Sequence, residues 1–367
     1  MHFEPTKDAS KIMLNALPGS LSPTVPMTLA TELLTGLELD QEVIRKVIER
    51  ANIAPELFQE SGARISIEQF SRFYRQLAIL LDDETPGFFS RPLRQGSLKF
   101  LCLGMFGSPN LDIALHRFRS YFRLVLDDMG FEVTRSGHLT RIALVEHVRP
   151  QGSRVLVHEI MLKLVHGVAS WMIDRKIPLV QVDFAYHRPQ RASEYVYLFP
   201  GPIHFDKTQT ALYMDSEYLS APIRKNMGAF STFLRNAPAD WLYVPFSEKM
   251  QTHRVRDYLE TRLGEQPTLE STGRALHFSK RSLSRRLAEE GTTFQAIKDE
   301  LRRDMAINQL LKSNLSVTDI SLSIGIENQS VFNRAFKLWT GSTPGSYRRF
   351  GSLSKGTSVK QEPVEST

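Results

Sequence analysis

The sequence predicts an α+β domain over residues 25–222, followed by an all-α domain over residues 248–350. In the first stretch, helical periodicity alternates with short β-branched runs, without the regular rhythm of a parallel α/β fold. In the second stretch, helical periodicity is continuous. The chain of 367 residues is long enough for two domains of this size.

Positive charge is concentrated in the second domain. The whole chain has a formal net charge of +6. Residues 245–350 alone contain 17 lysines and arginines against 12 aspartates and glutamates, an excess of five. A localised basic domain of this kind favours a polyanionic partner such as a nucleic acid.

Composition excludes several classes of protein. Hydrophobic residues make up 41% and charged residues 23%, as in ordinary globular proteins. The single cysteine, Cys102, excludes an internal disulfide and favours a reducing compartment. The N-terminus lacks the basic start and apolar run of a signal peptide, and no run of 18 apolar residues follows. We therefore expect a cytoplasmic protein with no membrane partner.

Three segments lack the signals of packed structure. Residues 1–24 are rich in proline and small polar residues, which predicts a flexible leader. Residues 351–367 have almost nothing to bury, which predicts a disordered tail. Residues 223–247 show no clean period, so we place the interdomain linker there.

The first domain contains both element types. Apolar stripes at helical spacing predict helices over residues 40–50, 66–81, 111–128 and 158–176. The second of these begins with Ser66 and Gln69 at the spacing of a capping box. Runs of β-branched residues bounded by turn residues predict strands over residues 141–145, 180–184 and 211–214.

The basic domain contains an internal repeat. Residues 282–287 align with residues 331–336, and each copy places an arginine between two apolar residues four positions apart. The repeated positions are Leu283, Arg285 and Leu287 in one copy, and Phe332, Arg334 and Phe336 in the other. On a helix, positions i and i+4 share a face and position i+2 points away from it. Each copy is therefore predicted to bury one face and project a guanidinium from the other.

Each copy follows a short apolar helix and a tight turn, which together form a helix-turn-helix unit. In the second copy the helix over residues 316–324 ends at Gly325, which can adopt positive φ. The second helix of such a unit fits the major groove of DNA. Asparagine and glutamine suit adenine, arginine suits guanine, and lysine suits phosphates. The predicted DNA-binding residues are Lys280, Arg281, Ser284 and Arg285 in the first unit, and Asn328, Gln329, Ser330, Asn333, Arg334 and Lys337 in the second.

These motifs carry a resemblance. The matching residues are Ser-Leu-Ser-Arg-Arg-Leu at 282–287, Gly-Thr-Thr-Phe at 291–294, and Gln-Ser-Val-Phe-Asn-Arg-Ala-Phe-Lys at 329–337. With them, residues 246–348 resemble the DNA-binding domain of the AraC/XylS family of bacterial transcriptional regulators. The resemblance implies two helix-turn-helix units in successive major grooves, joined by a linker helix over Phe294–Lys312.

The first domain resembles the arabinose-binding-type sensor domain of one branch of that family. The resemblance rests on residues 199–205, 211–215 and 219–223. It implies a regulator, more often an activator, that has double-stranded DNA, a small-molecule effector and RNA polymerase as partners and associates with the nucleoid. It also implies that the first domain, over residues 25–222, senses the effector and dimerises, while the oligomeric state, including whether the chain forms a homodimer, stays open, and it does not identify the effector-binding residues.

Two residues in the first helix-turn-helix unit depart from the family pattern. Gly273 stands inside a helix, where glycine costs about 1 kcal/mol relative to alanine. His277 stands at a turn that needs positive φ, where histidine is strained. We expect a looser first unit, and whether it reads bases stays open.

Catalytic signals are weak. His158 and Glu159 begin like a zinc-protease motif, but Leu162 occupies the position of the second ligand, so His158 and His166 are interpreted as ordinary helix residues. Cys102 lies in an apolar run, which favours an inert core thiol over a redox sensor. We therefore predict no enzyme, no cofactor and no metal site.

Some alternatives stay open. Arg302 and Arg303 suit phosphate contacts or ion pairs within the protein, and Arg348 and Arg349 suit DNA-backbone contacts or a cap on the last helix. The competing function is an enzyme or metabolite-binding protein whose helical domain only localises it. A third possible function is that of an architectural DNA-binding protein without an effector.

Overall fold

The computed structural model describes residues 24–60, 62–199, 201–242 and 250–349. The predicted tail and nearly all of the predicted leader lie outside these residues. Thr24, assigned to the leader, instead opens the first strand and is buried, because its strand pairs with another one.

The N-terminal part of the chain mixes helices and strands, as predicted. Its elements are β1 (Thr24–Pro26), α1 (Met27–Glu32), α2 (Gln41–Arg50), α3 (Pro55–Phe58), β2 (Arg64–Ser66), α4 (Ile67–Leu81), α5 (Ser97–Met105), α6 (Leu111–Val125), β3 (Met129–Ser136), β4 (Leu139–Glu146), α7 (Arg154–Met172), β5 (Leu179–Asp183), α8 (Tyr195–Leu198), β6 (Ile203–His204), β7 (Ala211–Asp215), α9 (Met227–Asn236) and α10 (Ala239–Leu242).

The strands form two sheets. The larger sheet has the order β3-β4-β7-β5-β6, in which β5 and β6 run parallel and the other neighbours are antiparallel. The smaller sheet pairs β1 with β2, so that Thr24 lies opposite Ser66. Two predicted strands fall within β4 and β7, and the third overlaps β5 but runs one residue beyond its end. Strand β3 was not predicted because its second half is largely exposed and lacks an apolar alternation.

Helix α7 is the core helix of this domain. By length and composition it is apolar enough to cross a membrane, but 89% of its apolar window is buried inside the protein. It runs from Arg154 to Met172, so it begins and ends four residues before the predicted helix over residues 158–176. Helix α10 packs directly on it at Gly167, where a Cβ atom would lie 2.2 Å from the carbonyl oxygen of Trp241. Only glycine permits this approach.

Local helix signals are confirmed. Helix α2 matches the prediction over residues 40–50 to within one residue. Helix α4 begins with the predicted capping box, since the Ser66 hydroxyl accepts from the Gln69 amide and the Gln69 side chain accepts from the Ser66 amide. Helix α6 begins at Leu111 as predicted and ends three residues early.

The predicted linker over residues 223–247 contains helices α9 and α10. Their aromatic residues pack on the N-terminal domain: the rings of Trp171 and Phe233 stack with centroids 4.2 Å apart. Pro238 separates the two helices, and α10, with four residues, is too short to show an apolar period in the sequence. Residues 243–249 of the linker lie outside the described residues.

The C-terminal domain is entirely helical over the described residues. Its elements are α11 (Gln251–Glu260), α12 (Leu269–Ala275), α13 (Lys280–Glu289), α14 (Phe294–Lys312), α15 (Val317–Ser323) and α16 (Gln329–Thr340). Helix α14 has the bounds predicted for the linker helix. The four apolar residues of the repeat are fully buried, namely Leu283, Leu287, Phe332 and Phe336.

The two domains meet at strand β2 and helix α14. The Tyr347 hydroxyl accepts from the Arg64 backbone N–H at 2.9 Å and donates to the Arg64 carbonyl at 3.1 Å. The Thr24 hydroxyl donates to the Asp304 carboxylate, which also accepts from Arg256 at 2.7 Å. Arg256 and Asp304 are each buried, with 4% of the side chain exposed. A buried, charged contact thus joins the start of the described chain to α14.

Candidate nucleic-acid interface

The second helix-turn-helix unit has the predicted turn. Gly325 adopts φ of 72° just after α15 ends. A Cβ atom there would also lie 2.4 Å from the Leu263 carbonyl oxygen, so both the backbone angle and the space require glycine. The Ser321 hydroxyl donates to the Ile326 carbonyl and closes the corner.

Helix α16 projects the predicted polar face into solvent. All six predicted residues of this unit are exposed, and the helix contains no acidic residue. Asn328 is also the helix cap, because its side-chain oxygen accepts from the backbone N–H groups of Ser330 at 2.8 Å and Val331 at 3.2 Å. Gln329 accepts from the Thr318 hydroxyl at 3.1 Å. The amide NH₂ group of Asn328 remains for a base, whereas its oxygen is used by the helix.

Helix α13 presents the corresponding face of the first unit. Lys280, Arg281, Ser284 and Arg285 are all exposed, and the first turn contains no acidic residue. The Arg285 Nε lies 3.6 Å from Glu289 in a solvent-exposed pair, which contributes little and leaves the guanidinium available. The resulting surface is strongly basic, as a phosphate-facing helix requires.

The two departures in the first unit have different outcomes. His277 adopts φ of 64°, so the predicted backbone strain is confirmed. Gly273 has a structural reason, since a Cβ atom there would lie 2.9 Å from the Phe278 carbonyl oxygen. Gly273 lowers the helix propensity of α12, but it also allows the turn at Phe278 to pack closely on this helix.

Charged side chains fix both units to the rest of the domain. Glu290 follows α13 and accepts from the backbone N–H groups of Gln251 and Thr252 at 2.8 Å each, at the N-terminus of α11. Arg302 on α14 donates to the carbonyl oxygens of Ile324 at 3.0 Å and Gly325 at 3.3 Å. Helices α13 and α16 are therefore each held through the loop or turn beside them.

These contacts favour the structural interpretation of Arg302 and Arg303, which the sequence left open. Arg302 binds the turn of the second unit, and Arg303 lies 3.4 Å from Asp304. Arg348 lies in a helical stretch over residues 344–349 and donates to the Leu315 carbonyl in the loop before α15.

The residues considered for catalysis lie in ordinary buried surroundings. Burial lowers the pKa of His166 to about 3, and its Nε2 contacts the Ile177 carbonyl at 2.8 Å. Burial also lowers the pKa of His158, which contacts Thr210 and Glu146. Burial raises the pKa of the Cys102 thiol to about 12, so the nucleophilic thiolate is disfavoured. These environments fit helix and core residues.

One exposed residue was missed by the sequence reasoning. Val331 is 44% exposed on α16, three positions before Arg334 and therefore on the same face. Apolar side chains in the major groove contact the methyl group of thymine. The helical period of the sequence could have shown this, because Val331 is an apolar residue that lies off the face formed by Phe332 and Phe336.

Comparison with known proteins matches both halves of the chain. Residues 44–223 match the family described as the arabinose-binding domain of AraC transcription regulator, N-terminal, and residues 273–349 match a helix-turn-helix domain. The chain belongs to the AraC family. It is a DNA-binding transcriptional regulator, which makes an enzyme the wrong class, and its family membership implies DNA and a small-molecule effector as partners in the cytoplasm.

Two curated relatives and one solved structure are similar to this chain. The ornithine utilization regulator of Pseudomonas aeruginosa is 28% identical over 88% of this chain and 96% of its own length. The transcriptional regulator VqsM of the same organism is 35% identical over 26% of this chain and 29% of its own length. The crystal structure of the regulator CdpR, also from that organism, aligns over 85% of this chain and 99% of its own at 19% identity, with a TM-score of 0.29.

Proposed function

We propose that this regulator reads two successive major grooves of its operator with helices α13 and α16, and that an effector bound to the sensor domain controls this reading. The observation that carries the proposal is that α13 and α16 each expose one polar face. The opposite face of each helix is buried through an i, i+4 apolar pair, and contacts with the other helices of the domain hold each helix in place. A rigid mount of this kind presents both helices to one face of a duplex.

The ten predicted residues then divide by chemistry. Arg281, Arg285 and Arg334 contact guanine edges, and Gln329 and Asn333 contact adenine. Lysines and the serine hydroxyls suit phosphates and either base. Asn328 combines capping with one donor to a base edge, as its bonds to Ser330 and Val331 allow.

Further partners follow from the same proposal. The regulator acts as an activator that contacts RNA polymerase, associates with the nucleoid through DNA, and pairs with a second copy of the chain. An effector changes operator affinity only if it binds the DNA-competent and incompetent states unequally.

The test is a selection from a random duplex library with the full-length protein, followed by titration of the enriched site at several salt concentrations. We expect two sequence blocks about one helical turn apart and a steep fall in affinity with salt. A single block would restrict reading to one unit. Weak binding without sequence preference would contradict the proposal.

Arg334→Ala tests the second reading helix. The side chain is exposed, so the fold should be kept while specific binding weakens by about 1 to 3 kcal/mol and one base position loses its preference. Arg262→Ala is the matched control, because Arg262 is exposed in the same domain and lies off both reading helices. Equal affinity of both variants for the operator would remove Arg334 from base reading.

The effector needs its own test. One relative reported above is named the ornithine utilization regulator, which makes L-ornithine one compound to add to the operator titration. A change in operator affinity with L-ornithine would identify it as an effector here. No change at saturating concentration would remove it.

A further inference from the structure

The sensor domain contains a cavity that was not predicted from the sequence. Its volume is about 560 Å³. Helices α4, α6 and α7 form three of its walls, and the connecting helices α9 and α10 form another. Small-molecule sites in proteins commonly have volumes of about 300 to 1,000 Å³.

The inner wall of the cavity is apolar. Phe122 of α6, Met161 and Leu164 of α7, and Leu101 of α5 line it and are buried. Apolar walls suit a ligand body made of hydrocarbon or aromatic carbon.

The lining also includes exposed cations. Arg75, Lys99 and Arg235 lie on α4, α5 and α9, and all three residues are exposed, which places them at the solvent side of the cavity. Glu84 is the acidic residue among the lining residues that the structure describes. Its two carboxylate oxygens accept from the backbone N–H groups of Gly96 at 2.8 Å and Leu98 at 2.6 Å. Glu84 is therefore engaged by the loop, and the solvent side carries a surplus of positive charge.

Trp241 supplies a further observation at the connecting helices. Trp241 is a lining residue of the cavity, is only 4% exposed, and has an indole N–H without a hydrogen-bond partner among the described residues. A buried donor without an acceptor is unfavourable. The indole N–H of Trp241 therefore lacks a hydrogen-bond acceptor at this wall of the cavity.

We infer that this cavity is the effector site and that it takes an amphipathic organic anion, whose carboxylate lies among Arg75, Lys99 and Arg235 and whose apolar body fills the interior. The inference rests on the proposed effector-responsive function and names the site and ligand class for it. Arginine and lysine bind carboxylates through charge-assisted hydrogen bonds.

The position of the site gives a route to the DNA-binding domain. Arg235 and Trp241 belong to the segment that connects the sensor domain to α11, which begins at Gln251. Arg75 of α4 already donates to the Ala237 carbonyl of this segment at 3.3 Å. A ligand that contacts α4, α7 and this segment at once stabilises one placement of the segment over others.

The test measures binding to the full-length protein without DNA. Octanoate is the anionic probe, and octan-1-ol and octylamine are its neutral and cationic counterparts of equal chain length. Binding is followed by tryptophan fluorescence and by the shift in melting temperature. We expect octanoate to bind saturably and at least about tenfold tighter than octan-1-ol, with octylamine weaker still.

Two variants locate the bound probe. Arg235→Ala removes one cation from an exposed position, and Ala78→Leu adds volume to the α4 wall. Each should weaken octanoate binding about tenfold or more. Arg91→Ala is the control, because Arg91 is an exposed arginine of the same domain, paired with Asp127 and absent from the cavity lining. Far-UV circular dichroism checks that each variant is folded.

The outcomes separate this inference from the proposed function. Equal affinity for octanoate and octan-1-ol would overturn the anion assignment, and octanoate binding unchanged in both cavity variants would overturn the site. Absence of saturable octanoate binding would overturn the ligand class. Octanoate binding that passes these tests, combined with a failed library selection, would leave the site standing and contradict the DNA-reading proposal instead.

Discussion

Removal of one oxygen atom, by Tyr347→Phe, tests how strongly the two domains are coupled. The Tyr347 hydroxyl accepts from the N–H and donates to the carbonyl of Arg64, and both residues are buried. Phenylalanine keeps the ring and its edge contact with Phe336, whose centroid lies 5.2 Å away. The substitution therefore isolates the two hydrogen bonds.

The expected cost follows from the groups left behind. An unpaired buried donor or acceptor costs about 1 to 3 kcal/mol, so two such groups should lower the free energy of unfolding by about 2 kcal/mol or more. The loss falls on a contact between domains. We therefore expect the sensor and DNA-binding domains to lose part of their cooperativity as well.

Urea unfolding of the full-length protein, followed by tryptophan fluorescence and far-UV circular dichroism, measures both effects. The unfolding midpoint should fall, and the two signals should separate in the variant. Tyr258→Phe is the control, because Tyr258 is only partly buried and lies in the DNA-binding domain away from β2. A midpoint equal to that of this control would refute the idea that the hydroxyl couples the domains.

Three further substitutions test individual elements. Gly325→Ala should destabilise the second helix-turn-helix unit by about 1 to 2 kcal/mol or more, since alanine is strained at this φ and its Cβ would meet Leu263; an unchanged melting temperature would contradict this. His277→Gly should stabilise the protein by about 1 kcal/mol in urea unfolding, because glycine relieves the positive φ, and a lower midpoint would show that the side chain matters more. Burial lowers the pKa of Lys163 from 10.5 to about 7, so the unfolded chain binds more protons between these values and stability should rise with pH there, by up to about 1.4 kcal/mol per pH unit. Lys163→Met should flatten that rise in urea titrations at several pH values, and an equal slope in both proteins would assign it to other groups.

Signals carried by neighbouring residues could be predicted from the sequence. The capping box of Ser66 and Gln69, the turn at Gly325 and the buried pairs of the repeat all depend on residues within a few positions of one another. These features depend only on neighbouring residues, because a helix cap, a positive φ at a helix end and an i, i+4 face are determined by the sequence of the helix and its ends. The family resemblance extended these local signals to the arrangement of two units on α14.

Contacts between distant residues could not be predicted. Arg64 and Tyr347 are 283 positions apart, and nothing near either residue specifies the other as its partner. The cavity likewise arises where α4, α6, α7 and α9–α10 come together, so its cations were scattered through the sequence. Asn328 shows a different limit, because a residue that can read a base can equally cap a helix, and only geometry separates the two roles.

Helix α14 lies between the two helix-turn-helix units and sets the distance between them. Its 19 residues give a rod about 28 Å long, and the buried contacts of Asp304 and Arg302 fix what lies beside it. One added base pair between two half-sites turns the second by about 35° and moves it 3.4 Å along the axis. Because a helix joins the two units, they cannot rotate relative to each other to follow this change, as units joined by a flexible linker could. The proposed reading of two half-sites by α13 and α16 therefore depends on the spacing between the half-sites as well as on their bases.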